Sequence, residues 1–401
     1  MSAPSDSGAA APVQGRCDPG FEPLRDLFAE RLAQGPDQDL GASLAVFVEG
    51  EPVLDLWGGW SDEARTRPWA SDTLVNVWST TKTMTSLAAM LLIDRGVLDP
   101  DKAVAHWWPE FAAAGKGGVT LRQVMSHASG VSGWNAPITV EQLYDQETAA
   151  ARLAAQAPWW PPGSATGYHA LSYGHLVGEL VRRCTGQSLG RFFAQEIAAP
   201  LRADFHIGLP DADCRRVSPV VIPPPLPFDF SSLDPNSVVY KTFTGPLPDA
   251  AAANTDAWRR AGIGAAGGHG NARSVAQIQS VLSSGGRSGG MQLLRPETVD
   301  RVFELQHQGV DLVLGVPLNM GLGWALPVPE VVPYVPAGRV CFWGGWGGSM
   351  VINDADRRVT LAYMMNRMAP GIIGGPVIAQ LAALAFSLPK LTSRSARPIS
   401  P

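Results

Sequence analysis

Residues 79–94 read STTKTMTSLAAMLLID, a cluster of small hydroxyl residues that passes into an apolar run and stops at Arg95-Gly96. The hydroxyls suit a helix start, the apolar run predicts a buried helix body, and glycine ends it. Ser79 and Lys82 are three residues apart, so their side chains share one helical face and the hydroxyl can stand beside the amine. A lysine in apolar surroundings gives up its charge readily and can then take the proton of a neighbouring hydroxyl. The Ser79 backbone N–H, at the helix start, can meet a developing oxyanion. The same spacing also fits a capping serine and a surface lysine with its stem along the helix, so the pair needs support from the rest of the chain.

Upstream, residues 21–34, FEPLRDLFAERLAQ, place their apolar side chains on one helical face, and residues 41–60, GASLAVFVEGEPVLDLWGGW, predict a hairpin around Glu49-Gly50-Glu51-Pro52. Downstream, residues 139–157 and 170–186 read as helices with proline-rich joints, and residues 221–240, VIPPPLPFDFSSLDPNSVVY, as an ordered loop without regular structure. Residues 339–353 and 357–366 are β-rich runs with a turn expected at Asn353-Asp354-Ala355-Asp356, followed by a short helix from about Gly375. The expected fold class is α/β (α+β): an antiparallel sheet built from both ends of the chain, flanked by the first and last helices. The expected boundaries are a disordered leader over 1–18, a discontinuous sheet domain over 19–100 and 255–392, a mostly helical subdomain over 101–254 and a flexible tail over 393–401.

The 401 residues carry 31 Lys and Arg against 36 Asp and Glu, a net charge of −5 that offers no basic surface for nucleic acid or anionic lipid. Only five of the cations are lysines, which singles out Lys82 and Lys116 in their apolar settings. Cys17, Cys184, Cys214 and Cys341 lack metal-ligand spacing and read as free thiols, and the amino end has no export signal, so a cytoplasmic enzyme without metal or cofactor is expected. Oligomeric state, monomer or homo-oligomer, stays open. The window 371–388 is apolar, but its proline and paired glycines leave a helix too short to span a bilayer, and no membrane partner is expected.

Three segments give the Ser79/Lys82 pair its context. Tyr168 follows WWPPGSATG; Trp343-Gly344-Gly345 stands in CFWGGWGGS; between and before them lie LRQVMSHASGVSG and GGHGNARS. In this order the segments resemble the serine hydrolases of the β-lactamase and penicillin-recognising fold, and most closely family VIII carboxylesterases, over roughly residues 20 to 390. The resemblance implies a β-lactamase/transpeptidase-like fold, a small-molecule ester substrate, and Ser79, Lys82 and Tyr168 as catalytic residues. It also implies an oxyanion site at the N–H groups of Ser79 and of Trp346, on a strand after the WGG turn.

Two departures from the lactamase pattern bear on substrate. Ala170 stands where lactamases have the Asn of YxN, and Trp343 where they have the Lys of KTG, so an amide and a carboxylate-binding cation are both missing. Neutral short-chain esters are therefore expected to be preferred over penicillins, with a weak cephalosporinase or a peptidase as the alternative. The Ser79 proton is expected to pass to Lys82 or to a Tyr168 phenolate, the two titrating together. Trp134, Trp343, Gly344 and Gly345 are expected to line the substrate pocket, with Phe228, Phe230 and Tyr240 adding to an apolar cleft. The pentapeptide GQSLG at 186–190 matches GxSxG, but the helical run before it argues that Ser188 caps a helix. Among the histidines, His169 beside Tyr168 is the one to watch.

Overall fold

The computed structural model describes residues 12–33, 39–223, 232–246 and 249–393. From the amino end, β1 (Gln14–Cys17) and α1 (Glu22–Arg31) lead into the hairpin of β2 (Gly41–Val48) and β3 (Glu51–Gly59). Its two-residue turn, Glu49-Gly50, has φ of 56° and 82°, the left-handed pair that matches the twist of hairpin strands. β4 (Leu74–Asn76) then runs through a tight turn at Trp78–Thr80 into the buried helix α2 (Thr81–Asp94).

A helical segment follows: α3 (Leu121–Met125), α4 (Val140–Tyr144), α5 (Gln146–Ala155), α6 (Ser172–Thr185) and α7 (Leu189–Phe193). After the short strands β5 (His206–Ile207) and β6 (Val217–Ser218) come α8 (Val238–Thr244) and α9 (Asp256–Ala261). The chain returns through β7 (Gly268–Gly270), α10 (Ala272–Ser283), the small hairpin β8 (Arg287–Ser288) and β9 (Met291–Gln292), and α11 (Pro296–Asp300). Strands β10 (His307–Val310), β11 (Pro317–Met320), β12 (Ala325–Leu326), β13 (Val340–Gly344), β14 (Met350–Asp354) and β15 (Val359–Met365) precede α12 (Pro376–Ser387).

The main sheet is antiparallel with the order β1-β3-β2-β15-β14-β13-β12-β11-β10, so the two ends of the chain meet where β2 pairs with β15, Leu44 opposite Tyr363. Both strands are buried at every position, which requires cover on both faces of the sheet. α10 lies across β2, β14 and β15, while α1 and α12 pack on each other. Phe28, Leu44, Leu361 and Ile378 are fully buried in this core, and each such side chain contributes roughly 1.5–3 kcal/mol by leaving water. A second sheet, β5-β7-β4-β6, carries the chain into the turn before α2.

Several local expectations are corrected. Residues 14–17 are not part of a disordered leader: they pair with β3, Gln14 opposite Trp57. The helix expected over 139–157 breaks into α4 and α5, because the Asp145 side chain accepts from the Glu147 and Thr148 N–H groups and starts a new helix. Asn353 and Asp354 belong to β14, and the turn falls at 355–358, where Arg358 takes a φ of 57°. The proline-rich stretch ends in a helix, α8, capped by Ser237. Residues 1–11, Phe228 and Phe230, and residues 394–401 of the expected tail lie outside the described residues. All four cysteines are unpaired, and among the described residues no helix is long and apolar enough to cross a membrane.

Candidate active site

Trp78 is left-handed, with φ of 48°, a conformation that costs a residue with a Cβ about 1–2 kcal/mol. Neighbouring contacts fix it. Thr81 Oγ1 donates to the Trp78 carbonyl at 2.5 Å and accepts from Gly268 N at 2.9 Å, while Ser349 Oγ donates to the Val77 carbonyl at 2.8 Å. The Trp78 ring packs between Trp258 and Trp346, at 5.5 and 5.0 Å. The consequence is a reversal of the chain that leaves Ser79 at the mouth of α2. Ser79 caps nothing: no side chain caps this helix start.

One turn later, Lys82 is 2 % exposed and its Nζ has four neighbours. It donates to the carbonyls of Ala170 at 2.8 Å and Ala265 at 2.9 Å, and lies 3.0 Å from Ser79 Oγ and 2.9 Å from the Tyr168 hydroxyl. The Tyr168 hydroxyl donates to Ser79 Oγ at 2.5 Å, closing a triangle of three functional atoms. An ammonium has three protons for these four neighbours, whereas a neutral amine places two on the carbonyls and keeps a lone pair for a hydroxyl. Burial pushes Lys82 well below the ordinary lysine range and Tyr168 above the ordinary tyrosine range. Both shifts favour neutral amine and phenol, so the expectation of a phenolate is corrected: without solvent, separating the pair into ammonium and phenolate is penalised at both ends.

Tyr168 is fixed from three sides. Its backbone N–H donates to Asp311 Oδ1 at 3.0 Å, and the same buried oxygen accepts from Val313 and Leu314 at 2.9 Å each. Trp343 lies 5.5 Å from the Tyr168 ring and 5.8 Å from His127, stacked on the latter. His127, left-handed with φ of 62°, accepts from the His169 N–H through Nδ1 and meets the Tyr168 ring at 5.4 Å. His127 rather than His169 therefore touches the site, because the His169 ring is engaged by Ser129 Oγ and the Gly167 carbonyl. His127 stands in the SHASG segment and could have been noticed there. Asp311 comes from a loop distant in sequence that carries no pattern.

The hairpin of β13 and β14 forms the opposite wall. Trp346 is in its turn, not on a strand, because β13 ends at Gly344 and β14 begins at Met350. Gly345 N donates to Ser349 O at 2.8 Å, and Gly347 N to Gly371 O at 2.9 Å. The N–H groups of Ser79 and Trp346 have no partner among the described residues, leaving both available as donors. Gly345 comes against the nucleophile turn: a Cβ there would be 2.4 Å from Val77 O and 3.1 Å from Ser79 N. Trp343 is only 3 % exposed, with His127 and Tyr168 against its ring, and a Cβ at Gly344 would meet Gly374 N at 2.9 Å. These two therefore brace the site from behind and do not form an open pocket wall. Trp134 is corrected outright: its indole donates to the Ala149 carbonyl and packs on His175 within the helical layer. Ser188 caps α7 by accepting from Arg191 N, after a helix closed by left-handed Gly186. Among the described residues no cluster of His, Cys, Asp or Glu could hold a metal ion.

Comparison with known proteins places this geometry. The Beta-lactamase family model matches residues 24–382. The chain belongs to the beta-lactamase family. It is 34 % identical over 373 residues to the esterase/beta-lactamase LipL of Mycobacterium tuberculosis, covering 90 % of this chain and 84 % of LipL. A family VIII carboxylesterase crystal structure superposes with a TM-score of 0.87 at 37 % identity, over 93 % of this chain and 99 % of that one. A penicillin-binding protein homologue from Caulobacter crescentus gives a TM-score of 0.87 at 35 % identity, over 94 % and 99 %. This beta-lactamase family member is thus an enzyme of the serine-hydrolase type with the β-lactamase/transpeptidase-like fold.

Proposed function

We propose that the enzyme is a carboxylesterase that cleaves short-chain neutral esters through an acyl group carried on Ser79. The reading rests on the closed triangle of Ser79 Oγ, Lys82 Nζ and Tyr168 Oη within 2.5–3.0 Å in a buried setting. Neutral Lys82 accepts the Ser79 proton as Oγ attacks the ester carbonyl, and the resulting ammonium stays held by Ala170 O and Ala265 O. Tyr168 gives its proton to the departing alkoxide and is refilled from Lys82, its neighbour at 2.9 Å. Water then retraces the route to release the acid. The Ser79 and Trp346 N–H groups hold the oxyanion, and losing one such donor typically costs about 3 kcal/mol.

Preference for neutral substrates is supported by what stands near the nucleophile. Trp343 replaces a cation and Ala170 offers only its carbonyl, already used by Lys82, so a substrate carboxylate finds no partner at either position. A serine-directed fluorophosphonate should modify Ser79, and the purified enzyme should hydrolyse p-nitrophenyl butyrate with a burst equal to the enzyme concentration. Labelling at Ser188 with Ser79 untouched would refute the mechanism, and turnover of benzylpenicillin as efficient as that of the ester would refute the substrate assignment.

A further inference from the structure

A cleft of about 700 Å³ lies among α4 to α7, β5 and the end of α9, and Ser79, Lys82 and Tyr168 take no part in its lining. Two of its walls lead directly to the carbonyls that hold the Lys82 amine. α6 supplies Gly178 and Arg182 to the cleft and begins just after Ala170, while the turn after α9 supplies Gly262 and Ile263 and continues to Ala265. The walls touch backbone to backbone. A Cβ at Gly174 would be 2.3 Å from Ala265 N, and one at Gly264 would be 2.4 Å from Leu189 Cδ2, a side chain that itself lines the cleft. No slack separates the cleft from the amine's cradle, so a displacement of one is felt by the other.

The chemistry of the cleft is cationic at the rim and apolar within. Arg182, Arg191 and Arg260 face it against two carboxylates, Glu147 and Asp211, and Leu143, Ile207 and Ile263 supply apolar surface. Arg182 is bridged to Glu179 and Arg260 to Asp211. The exposed Arg191 guanidinium has no acidic partner among the described residues.

We propose that this cleft binds a small carboxylate with a short apolar tail, its head group on Arg191, and that the occupant slows the enzyme by shifting the Gly262–Ala265 turn. An ester's product acid belongs to this class, so the cleft would restrain the enzyme as acid accumulates. That kinetic clause rests on the esterase reading; the binding clause does not.

The test uses sodium hexanoate as probe. Calorimetric titration into enzyme treated with fluorophosphonate should give one-to-one binding, weakened about tenfold or more in Arg191→Glu, where an attractive charge becomes a repulsive one. With untreated enzyme, hexanoate should lower kcat without raising KM. Both Arg191→Glu and Ala194→Trp, which fills the cleft from an exposed helical position, should abolish that effect while keeping the basal rate. Absence of binding, equal affinity in wild type and Arg191→Glu, or inhibition that only raises KM would overturn the proposal. If the phosphonate does not label Ser79 the esterase reading fails, and the same titration still decides the cleft.

Discussion

Lys82 and Lys116 are both sealed from water, and their partners separate a reactive amine from a structural one. Lys116 Nζ donates to three carbonyls, of Ala113, Ala154 and Gln156, which use all three ammonium protons and leave no group able to return one. Lys82 has two carbonyls and two hydroxyls, so it can exchange protons. Lys116→Met should therefore lower stability by about 1–3 kcal/mol for its orphaned carbonyls while leaving ester kinetics unchanged. Lys82→Met should abolish the acylation burst and also lose stability, by a similar amount, because Ala170 O and Ala265 O lose their donor. Rapid-quench acylation and thermal melts of both variants check this pair; a Lys82→Met enzyme that still acylates would remove the amine from the mechanism. The sign of the pH effect follows from the same burial. Between the depressed folded value of Lys82 and the ordinary 10.5, the unfolded chain binds more protons, so this site adds stability as pH rises, and Lys82→Met should flatten that slope. The Ser79/Lys82 pair was legible because helical spacing alone brings the two side chains together. Tyr168 needed a motif, and Asp311 was illegible because its role is a contact to Tyr168 N set by the tertiary fold.

The β13–β14 hairpin is the element on which the nucleophile turn leans. Ser349 Oγ bonds to Val77 O and lies 3.0 Å from Thr80 Oγ1, and Gly345 fits closely beside them. Gly345→Ala should push the hairpin away from Ser79 and slow acylation about 10- to 100-fold, the range set by misplacing an oxyanion donor. Stopped-flow bursts on p-nitrophenyl butyrate measure it; an unchanged burst rate would mean that the turn tolerates the displacement. This hairpin was only half legible. Residues 339–353 read as β-prone, but the two glycine pairs are equivalent in sequence, and tertiary contacts decide that Gly347 and Gly348, with φ of 95° and 121°, make the turn while Gly344 stays in β13. α2 and α12 were legible for the opposite reason: long apolar runs with plain stop signals leave one solution.

Across the whole molecule, His127, His169, His175 and His269 are buried, and burial lowers all four, His169 to about 4 and His269 to about 3. Below about 6.5 the unfolded chain takes up protons that the folded enzyme refuses, so stability is full above that value and is lost as pH falls toward 4. Each buried imidazole can contribute up to about 1.4 kcal/mol per pH unit in this window. Melting temperature should fall steeply between pH 6.5 and 4.5 and recover partly in His169→Gln; a flat profile would show that these rings protonate in place. The joining of chain ends in the sheet was legible from β-rich runs at both ends, whereas the strand order was not, because it depends on pairings between distant segments.

That joining also sets when the enzyme can first work during its own synthesis. A ribosome that has passed Tyr168 has already made the nucleophile, the amine and the phenol, yet β2 has no β15 beside it and Ser79 has no facing Trp346 N–H. Both missing parts come from the last sixty or so residues, and sheet contacts so far apart in sequence form late. The nascent chain therefore carries an assembled proton relay in name only, and hydrolysis switches on when translation ends.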